Sequence, residues 1–521
     1  MSATTNLQKP AWAPSGPDEF LSQIPRRFSA SRGTAMVVAL IVLAAAPGNL
    51  PAQDGYIFTT LAGKAGVSGS TNGLNADARF KSPSGIAVVA GGGLVIGDSG
   101  NAVLRKISGS VVTTFAGLAG VVGTVDSILN FARFGAVFPV SGLTGLTLLP
   151  SGFTSVLSPT LTEIVGPQGI AVSANDTLFV VDTGNSIVRV ILSGAIVTTI
   201  AGAPQPTQYS GTPVLLPPPR ASTDGTGATA RFVSPHAVAV AGDTLYVTDT
   251  NANTIRKIAP GNVVSTYAGS AGSLGAADGE RLSARFRGPA GIAADSAGNI
   301  FVVDSNNYTI RQISPAGIVT TLAGATGQYG STDGTGTQAR FGGSPPAVSA
   351  GLPPTPNPEQ NYVTSPRPET FGPVGLALDS VGNLLLTDTV NHTIRKITPG
   401  GVVTTVGGVS GSYGSADGPG RTARFNAPKA LTVDASGNLY VADTGNHTIR
   451  KGTPAYLPQI VIQPRGQSVD PGQTVTLSVE ATGTLPQTFE WIKKVRQFQA
   501  RPMRRSLSRT CKCAMPGATR W

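Results

Sequence analysis

Residues 439–451, LYVADTGNHTIRK, contain the pattern that decides the fold, because five earlier segments of the chain repeat it. Every copy places an aspartate after an apolar run and an arginine seven residues later. The aspartates are Asp98, Asp182, Asp249, Asp304, Asp388 and Asp443, and the arginines are Arg105, Arg189, Arg256, Arg311, Arg395 and Arg450. Self-similarity at a fixed period is the signature of a repeat architecture.

A second phrase, Ala-Arg-Phe, lies between successive copies of the first. Its phenylalanines are Phe80, Phe134, Phe232, Phe286, Phe341 and Phe425, and a turn residue stands six positions before each triplet, at Asn72, Asp126, Asp224, Asp278, Asp333 or Asp417. Three insertions separate neighbouring repeats, at Gly135–Gly166, Ala203–Thr223 and Gly342–Gly372. We expect them to rise from one face of the fold.

The local composition of each repeat predicts four short antiparallel strands. Runs such as LYVAD and TIRKI are rich in β-branched and aromatic residues and are bounded by Gly, Asn and Asp. One such sheet cannot bury both of its faces, so six of them should pack around an axis. The last repeat lacks its fourth strand, whereas FTTLAG stands alone at residues 58–63. The sequence therefore predicts an all-β, six-bladed β-propeller over residues 53–454, closed by the N-terminal strand.

The charge of the chain lies at its two ends. The formal net charge is +11, but residues 53–492 carry equal numbers of basic and acidic side chains. A repeat region of zero net charge argues against nucleic acid as a partner, which would require a basic face.

Residues 1–52 resemble an export signal. Arg26 and Arg27 precede the apolar run AMVVALIVLAAA at residues 35–46. That run is shorter than the roughly 20 residues that a membrane-spanning helix needs. We expect a secreted, periplasmic or cell-surface protein with no stable membrane span after cleavage; a membrane anchor or a buried helix is the alternative.

The repeats resemble the NHL-repeat family, through phrases such as LYVADTGNHTIRK and P-x-G-I-A-V-D, over about residues 56–454. The added Ala-Arg-Phe phrase is similar to the longer NHL variant of teneurins and of exported bacterial proteins. The resemblance implies a six-bladed propeller. It does not choose a function, because such propellers bind protein, glycan or RNA, or catalyse lyase and lactonase reactions.

The recurrent side chains have a structural interpretation. The aspartate and asparagine of the turn can bond turn backbone groups, and the arginine can reach back to them. We expect the phenylalanine of the triplet to pack between blades and its arginine to form an ion pair. The alternative is that each repeated aspartate is one ligand of a calcium site.

Candidate ligand-binding residues follow the proline that opens each innermost strand. They should ring the mouth of the central channel, and they are Ser84, Gln168, His236, Ala290, Val374 and Lys429. His236 and Lys429 come from opposite blades, and they are predicted to bind an anionic or hydroxylated ligand together with Ser84 and Gln168. A solvated rim without a ligand is the alternative.

The insertions supply further candidates. Phe138 and Phe153 belong to the first insertion and Tyr362 to the third. Loops of this length in a compact fold are commonly binding loops or disordered segments, and both interpretations stay open.

The function that these features favour is a binding scaffold for an extracellular protein or glycan, monomeric and without metal or cofactor. A propeller enzyme of the lyase or lactonase type, acting at the channel mouth, is the alternative. Such lyases use several histidines to hold a metal, and this chain has three in all, of which His392 and His447 lie in ordinary repeat turns. A catalytic zinc site needs three protein ligands.

The C-terminal region differs from the repeats. Residues 455–494 resemble part of an immunoglobulin-like domain, with Gly472 before a strand-like run and Trp491 in the place of the core tryptophan. Residues 495–521 are basic, contain no acidic residue and lack strand alternation. We expect a disordered or out-of-frame tail, in which Cys511 and Cys513 are incidental; a metal or redox site is the alternative.

Overall fold

The computed structural model describes residues 53–139, 162–192, 195–203, 221–344, 372–456, 459–462 and 480–482. Residues 52–457 form one compact unit. In this unit the strands form six five-stranded antiparallel sheets, which we call blades 1 to 6 in the order of their repeats. The predicted all-β, six-bladed propeller is confirmed.

Strands are numbered along the chain, and each blade has the same strand order from the axis outwards. The innermost strands are β3 (Pro83–Val88), β10 (Gly169–Val172), β15 (Pro235–Ala241), β20 (Pro289–Ala294), β25 (Leu376–Leu378) and β30 (Ala430–Val433). The second strands are β4 (Leu94–Asp98), β11 (Leu178–Asp182), β16 (Thr244–Asp249), β21 (Ile300–Asp304), β26 (Leu384–Asp388) and β31 (Leu439–Asp443).

The third strands carry the repeat arginines and the fourth strands follow them in space. The third strands are β5 (Val103–Ser108), β12 (Ile187–Ile191), β17 (Thr254–Ala259), β22 (Thr309–Ile313), β27 (Thr393–Ile397) and β32 (Thr448–Tyr456). The fourth strands are β6 (Val111–Ala116), β13 (Ile196–Ala201), β18 (Val263–Gly269), β23 (Ile318–Gly324), β28 (Val402–Gly407) and β1 (Gln53–Gly63).

Each blade has a fifth, outermost strand of two residues, which the sequence analysis missed. These strands are β2 (Gly73–Leu74), β7 (Ser127–Ile128), β14 (Gly225–Thr226), β19 (Gly279–Glu280), β24 (Gly334–Thr335) and β29 (Gly418–Pro419). Two residues are too few to show the alternation by which a strand is recognised. The expected four strands per blade are therefore corrected to five.

Short elements complete the structure. Three-residue 3-10 turns lie at Asn75–Asp77, Ala90–Gly92, Ser99–Asn101, Leu129–Phe131, Thr183–Asn185, Gly227–Thr229, Thr250–Ala252, Ser305–Asn307, Gly336–Gln338, Gly420–Thr422 and Thr444–Asn446. A hairpin of β8 (Ala136–Pro139) and β9 (Thr162–Val165) forms the base of the first insertion. Apart from the propeller unit, β33 (Gln459–Ile462) pairs with β34 (Glu480–Thr482).

The ring is closed by the N-terminal strand, as predicted. Strand β1 pairs with β32 from Gln53 opposite Tyr456 to Gly63 opposite Thr448, and on its other side with β29. Phe58 of β1 is 0% exposed, and its ring meets that of Phe425 edge-on at 5.0 Å. Blade 6 is therefore built from both ends of the propeller sequence, so the ring has no unpaired inner edge.

The hydrophobic core lies between neighbouring blades. One cluster joins Leu104 of blade 1 to Val180 of blade 2 around Phe134, and equivalent clusters occur around the ring. All six phenylalanines of the triplets are 0% exposed. The predicted packing role of the triplet phenylalanine is confirmed.

A buried ion pair recurs in every blade. In blade 1, Arg105 and Asp98 are both 0% exposed and pair at 3.1 Å, and the guanidinium lies 5.1 Å from the centroid of the Phe80 ring. A register shift between β5 and β6 occurs at Leu104/Arg105, and bulges of this kind redirect side chains. The arginine also donates to the carbonyl oxygens of Arg79 and Thr71, so it ties the third strand to the preceding turn.

Both carboxylate oxygens of each repeat aspartate accept hydrogen bonds from protein donors. Asp98 accepts from the N–H of Lys81 through one oxygen, and from Asn101 and Arg105 through the other. In blade 3, where alanine replaces this asparagine, Ser222 donates to Asp249 instead. The structural interpretation of these aspartates is supported over the calcium-ligand alternative.

The arginine of the Ala-Arg-Phe triplet acts differently from our expectation. Arg79 donates to the carbonyl oxygens of Ala76 and Ala78, and Arg231 and Arg340 make the same two contacts in their blades. This side chain stabilises the backbone of the 3-10 turn rather than an ion pair. The ion pair belongs to the buried arginine of the third strand.

Candidate functional site

The predicted channel-mouth residues converge on the propeller axis. Ser84, Gln168, His236, Val374 and Lys429 line one cavity of about 420 Å³, which includes the solvent at its opening. Each comes from a different blade. The sixth predicted residue, Ala290, is fully buried, and its neighbours Gly291 and Ile292 line the cavity in its place.

The strand registers fix these positions. The backbone N–H groups of Gln168, Val374 and Lys429 donate to the carbonyls of Val181, Thr387 and Ala442 in the second strands of their own blades, at 3.0–3.1 Å. Each mouth residue is thereby held at the start of an innermost strand, on the same end of the ring as the Asp-Arg turns. Sites on strands are more precisely positioned than sites on loops.

The innermost strands of neighbouring blades approach very closely. A Cβ atom at Gly85 would lie 2.2 Å from the carbonyl oxygen of Gln168 in the next blade, and one at Gly375 would lie 2.5 Å from that of Lys429. Only glycine permits this approach. The channel is therefore narrow, and the mouth side chains of different blades share one small space.

His236 and Lys429 determine the electrostatics of the cavity. His236 is 7% exposed, and its Nδ1 has no hydrogen-bond partner within the described part of the chain. Burial and the ammonium of Lys429 lower the pKa of His236 to about 4, against the opposing effect of its hydrogen bond to the carbonyl of Ala290. The imidazole is therefore neutral at physiological pH.

Three of the four polar mouth residues are shielded from solvent. Ser84, Gln168 and His236 are all buried, and only Lys429 is half-buried. These side chains line the axial cavity. Whether they bind a ligand stays a prediction.

The insertion residues fall mostly beyond the described ranges. Phe153 and Tyr362 lie outside them, and Phe138 lies in β8 opposite Glu163. The hairpin base of the first insertion joins the end of the ring that carries the channel mouth, since Gly135 donates its N–H to Asp182 at the end of β11. Residues 1–52, 495–521 and most of 455–494 also lie outside the described ranges.

A second group of polar residues was missed as a set by the sequence analysis. His392 and His447 have φ values of 58° and 60°, and their Nδ1 atoms accept the N–H groups of Ala427 and Ser82 in the next blade. Asn253 does the same for Gly288 through its side-chain oxygen. These residues connect neighbouring blades, and the asparagine at the matching position of blade 3 was the signal that could have found them.

Two features are absent from the described residues. Among them, no group of three or more His, Cys, Asp or Glu side chains comes together to hold a metal ion. None of their helices has the length and apolar character to cross a membrane.

A family model for the NHL repeat matches residues 286–313 and 425–451. These segments cover the inner three strands of blades 4 and 6, and the other blades repeat the same strand order around the ring. The chain is a six-bladed β-propeller, and two of its blades match the NHL-repeat model.

The propeller is similar to several known proteins over parts of its length. It is 39% identical over 80 residues to the protein SUPPRESSOR OF QUENCHING 1, chloroplastic, of Arabidopsis thaliana. That match spans 15% of this chain and 7% of the plant protein.

Solved structures share the fold at lower identity. A structural genomics protein of unknown function from Bacteroides thetaiotaomicron VPI-5482 has 20% identity and a TM-score of 0.50, with 76% of each chain covered. An auxiliary nutrient binding protein from Bacteroides ovatus ATCC 8483 has 16% identity and a TM-score of 0.46, with 77% of each chain covered. The first likeness supports the propeller fold of this chain and nothing beyond it.

Proposed function

We propose that this propeller belongs to the NHL-repeat family and is a binding module that takes an extracellular protein or glycan ligand at the channel-mouth face. The observation that carries the proposal is the contrast between the residues that every blade repeats and the residues that line the channel mouth. Every blade repeats the buried Asp-Arg pair and the triplet phenylalanine, whereas the mouth presents a different side chain from each blade. Repeated residues hold the ring together, so specificity must come from the residues that differ.

The mouth has the composition of a ligand site. Small-molecule sites combine apolar walls with a few convergent polar groups. Here Ile86, Ile170 and Leu376 form the walls, and a hydroxyl, an amide, an imidazole and an ammonium reach the same space.

The proposal extends to export and to partners. It includes an N-terminal signal, secretion to the periplasm or cell surface, and a monomeric state. It also includes contacts with the ligand by Phe138, Phe153 and Tyr362. The likeness to teneurin-type repeats and the immunoglobulin-like segment at residues 455–494 also stay predictions.

The test is a glycan array probed with the full chain and two variants. Cell-wall polysaccharides and host-type glycans are the printed probes, and a His236→Gln/Lys429→Met double variant is compared with the wild type. Lys396→Met is the matched control, because Lys396 is also half-buried but lies on β27, away from the mouth. The proposal is supported if the double variant loses the glycan signal while the Lys396→Met control keeps it. Equal signal from the wild type, the double variant and the control contradicts the proposal.

A further inference from the structure

Two of the mouth residues, Ser84 and Lys429, are carried by segments that begin in a left-handed conformation. Ser82 and Ala427 stand two positions before them, each followed by a proline, and their φ values are 51° and 46°. At a residue with a side chain this conformation costs free energy. A contact from outside the segment must therefore hold the backbone in place.

A histidine of the preceding blade supplies that contact in both cases. The Nδ1 atom of His447 accepts the N–H of Ser82 at 3.1 Å, and the Nδ1 atom of His392 accepts the N–H of Ala427 at 3.0 Å. We call these two hydrogen bonds the histidine latches. They lie on the two sides of blade 6, which is the blade that closes the ring.

The latched segments position mouth side chains. The Ser84 hydroxyl donates to the carbonyl of Ser82 at 3.0 Å, so its place depends on the backbone that His447 holds. In blade 6 a single proline separates Ala427 from Lys429. A segment that is freed from its latch therefore changes the position of a polar mouth residue.

A latch requires a neutral imidazole. One ring nitrogen of neutral histidine accepts a hydrogen bond, whereas both nitrogens of the imidazolium are donors. Protonation of Nδ1 would place two N–H groups against each other and break the bond. Because an unperturbed histidine titrates near pH 6.5, mild acid is the condition that tests the latches.

The surroundings of His392 keep its imidazole neutral at physiological pH. Its ring meets the Tyr413 ring at 5.8 Å. Asp388 in its own blade and Asp443 in blade 6 are each paired with the buried arginine of the same blade, and Lys429 follows on the latched segment. Burial alone accounts for the lowered pKa of His392.

The surroundings of His447 act in the same direction. Burial lowers its pKa, a hydrogen bond with the carbonyl of Thr444 opposes this, and the ammonium of Lys81 adds to it. The other charged groups on the neighbouring turns and segments are Lys64, Asp98 and Asp443. A histidine whose pKa is lowered in the closed state contributes stability above its usual pKa and loses it as the pH falls. Both latches should therefore weaken below about pH 6.5.

The chain contains a third latch that does not titrate. In blade 3 the side-chain oxygen of Asn253 accepts the N–H of Gly288 at 2.9 Å. In all three places the preceding N–H is held by a buried aspartate whose pKa is raised by burial to about 6; these are Asp98, Asp304 and Asp443. The Asn253 latch is therefore a matched control, because the aspartates are alike and the acceptor is an amide.

We propose that His392 and His447 are positioning residues that form a pH-sensitive latch on the channel mouth. Neutral imidazoles hold the segments that carry Lys429 and Ser84, and protonation in mild acid releases both segments. The inference rests on the proposed function, because it describes how binding at that same mouth is regulated. A ligand that is bound at neutral pH should be released in acid.

The size of the effect has an upper limit. A histidine that titrates near pH 6.5 when its latch is open can raise the opening equilibrium constant at about pH 5 by at most about thirtyfold over that at about pH 7.5. Protonation of the closed state reduces this factor. We expect a rise of about five- to thirtyfold at Ser82 and Ala427, in excess of any rise at Gly288.

The experiment is hydrogen–deuterium exchange of the full chain at these two pH values, with rates corrected for the intrinsic pH dependence of exchange. Mass spectrometry of overlapping peptides follows the amides of Ser82, Ala427 and Gly288. His392→Asn and His447→Asn copy the acceptor of blade 3, and asparagine tolerates the left-handed conformation of these positions. His392→Ala removes the acceptor altogether.

The two asparagine variants serve as controls for each other. In the wild type the Ser82 and Ala427 amides lose more protection in acid than the Gly288 amide does. His392→Asn should remove the excess loss at Ala427 only, and His447→Asn should remove it at Ser82 only. His392→Ala should lower the protection of Ala427 at both pH values. Equal loss at all three amides, no loss at any of them, or an excess loss that persists in the asparagine variants would overturn the inference.

The glycan array separates this inference from the proposed function. Probed at the same two pH values, the wild type should lose in acid a signal that the His392→Asn/His447→Asn double variant keeps, and equal loss in both chains would refute the regulation of the mouth. If exchange behaves as expected but no printed glycan depends on the mouth, the glycan part of the proposed function fails alone. If a glycan signal depends on the mouth but exchange does not depend on the histidines, the latch fails alone.

Discussion

Arg105 of blade 1 has one carboxylate partner, whereas Arg311 of blade 4 has two. We therefore predict that replacing the buried aspartate partner by asparagine lowers the free energy of unfolding more in blade 1 than in blade 4. Arg105 pairs with Asp98 at 3.1 Å, and its second partner is the side-chain oxygen of Asn72 at 3.0 Å. Arg311 pairs with Asp304 at 2.9 Å and with Asp278 at 2.5 Å. The change to make is Asp98→Asn, with Asp304→Asn as the matched control.

The two sites are alike in every other described contact of the aspartate. Asp98 and Asp304 are both 0% exposed, and each accepts from one backbone N–H and from the asparagine three residues later. Asparagine at either site places the same amide among the same donors. The difference between the two variants therefore isolates the second carboxylate.

The magnitudes follow from burial. Removing one partner of a fully buried pair costs about 3–5 kcal/mol, and this is the expected loss in unfolding free energy for Asp98→Asn. In blade 4, Asp278 still neutralises Arg311, but its side chain is 46% exposed, so solvent screening reduces its contribution to about 1–2 kcal/mol. Asp304→Asn should therefore cost about 1–2 kcal/mol less than Asp98→Asn.

A rescue variant sharpens the comparison. Asn72→Asp gives blade 1 the carboxylate that the equivalent position has in the other five blades. In blades 2, 4 and 6 that aspartate also accepts the N–H of a threonine on the fourth strand. Adding Asn72→Asp to Asp98→Asn should recover about 1–2 kcal/mol.

The assay is urea denaturation of the full chain, followed by circular dichroism at about pH 7.5. Burial raises the pKa values of Asp98 and Asp304 to about 6, so both are ionised at that pH. Equal losses in the two single variants, with no recovery in the rescue variant, would refute the reasoning.

Three further predictions concern the mouth, the inner strands and the closing strand. Burial and the charge of Lys429 lower the pKa of His236 from 6.5 to about 4. Between these two pH values the unfolded chain therefore binds more protons at this histidine than the folded chain does. Up to about 3 kcal/mol of folding stability, which is present above pH 6.5, is lost as the pH falls to about 4. As the pH is lowered, the urea midpoint should therefore fall less in His236→Gln than in the wild type. Parallel plots of the urea midpoint against pH for the two proteins would contradict this. Gly85→Ala places a Cβ 2.2 Å from a backbone oxygen and should lower the free energy of unfolding by about 1–3 kcal/mol. Gly400→Ala, whose Cβ would meet only a side-chain atom at 3.9 Å, is the control. Equal urea midpoints for the two variants would show that the innermost strands can move apart to accommodate the Cβ. Phe58→Ala should cost about 3–5 kcal/mol, against little change for Phe131→Ala, whose side chain is 62% exposed; a small loss at Phe58 would mean that β1 does not close the ring firmly.

The repeats made most of the fold predictable from the sequence. A period of 55 residues separates Asp249 from Asp304 and Asp388 from Asp443. The last repeat lacks its fourth strand, and residues 58–63 supply an additional strand before the first repeat. Both facts are visible in the sequence itself. The fifth strand was not, because Gly73 and Leu74 are too few residues to carry a periodic signal.

The site was predictable in position but not in environment. The proline before each mouth residue marked the start of an innermost strand, which placed Ser84, His236 and Lys429 on the axis. Their burial depends on how closely Gly85 and Gly375 let the strands approach, and that is a contact between residues of different blades. The same reason explains why the carbonyl contacts of Arg79 and the Nδ1 contact of His447 could not be read from one repeat.

The pairing of Gln53 with Tyr456 has a mechanical consequence. Both residues lie at the same end of the β1–β32 ladder, so tension applied through the chain on either side of the propeller loads one pair of hydrogen bonds at a time. A ladder loaded in this way opens like a zipper, whereas strands pulled along their length must break all their bonds together. Although the ring has no unpaired inner edge, traction on its two ends would open it first at blade 6, where β1 and β32 pair.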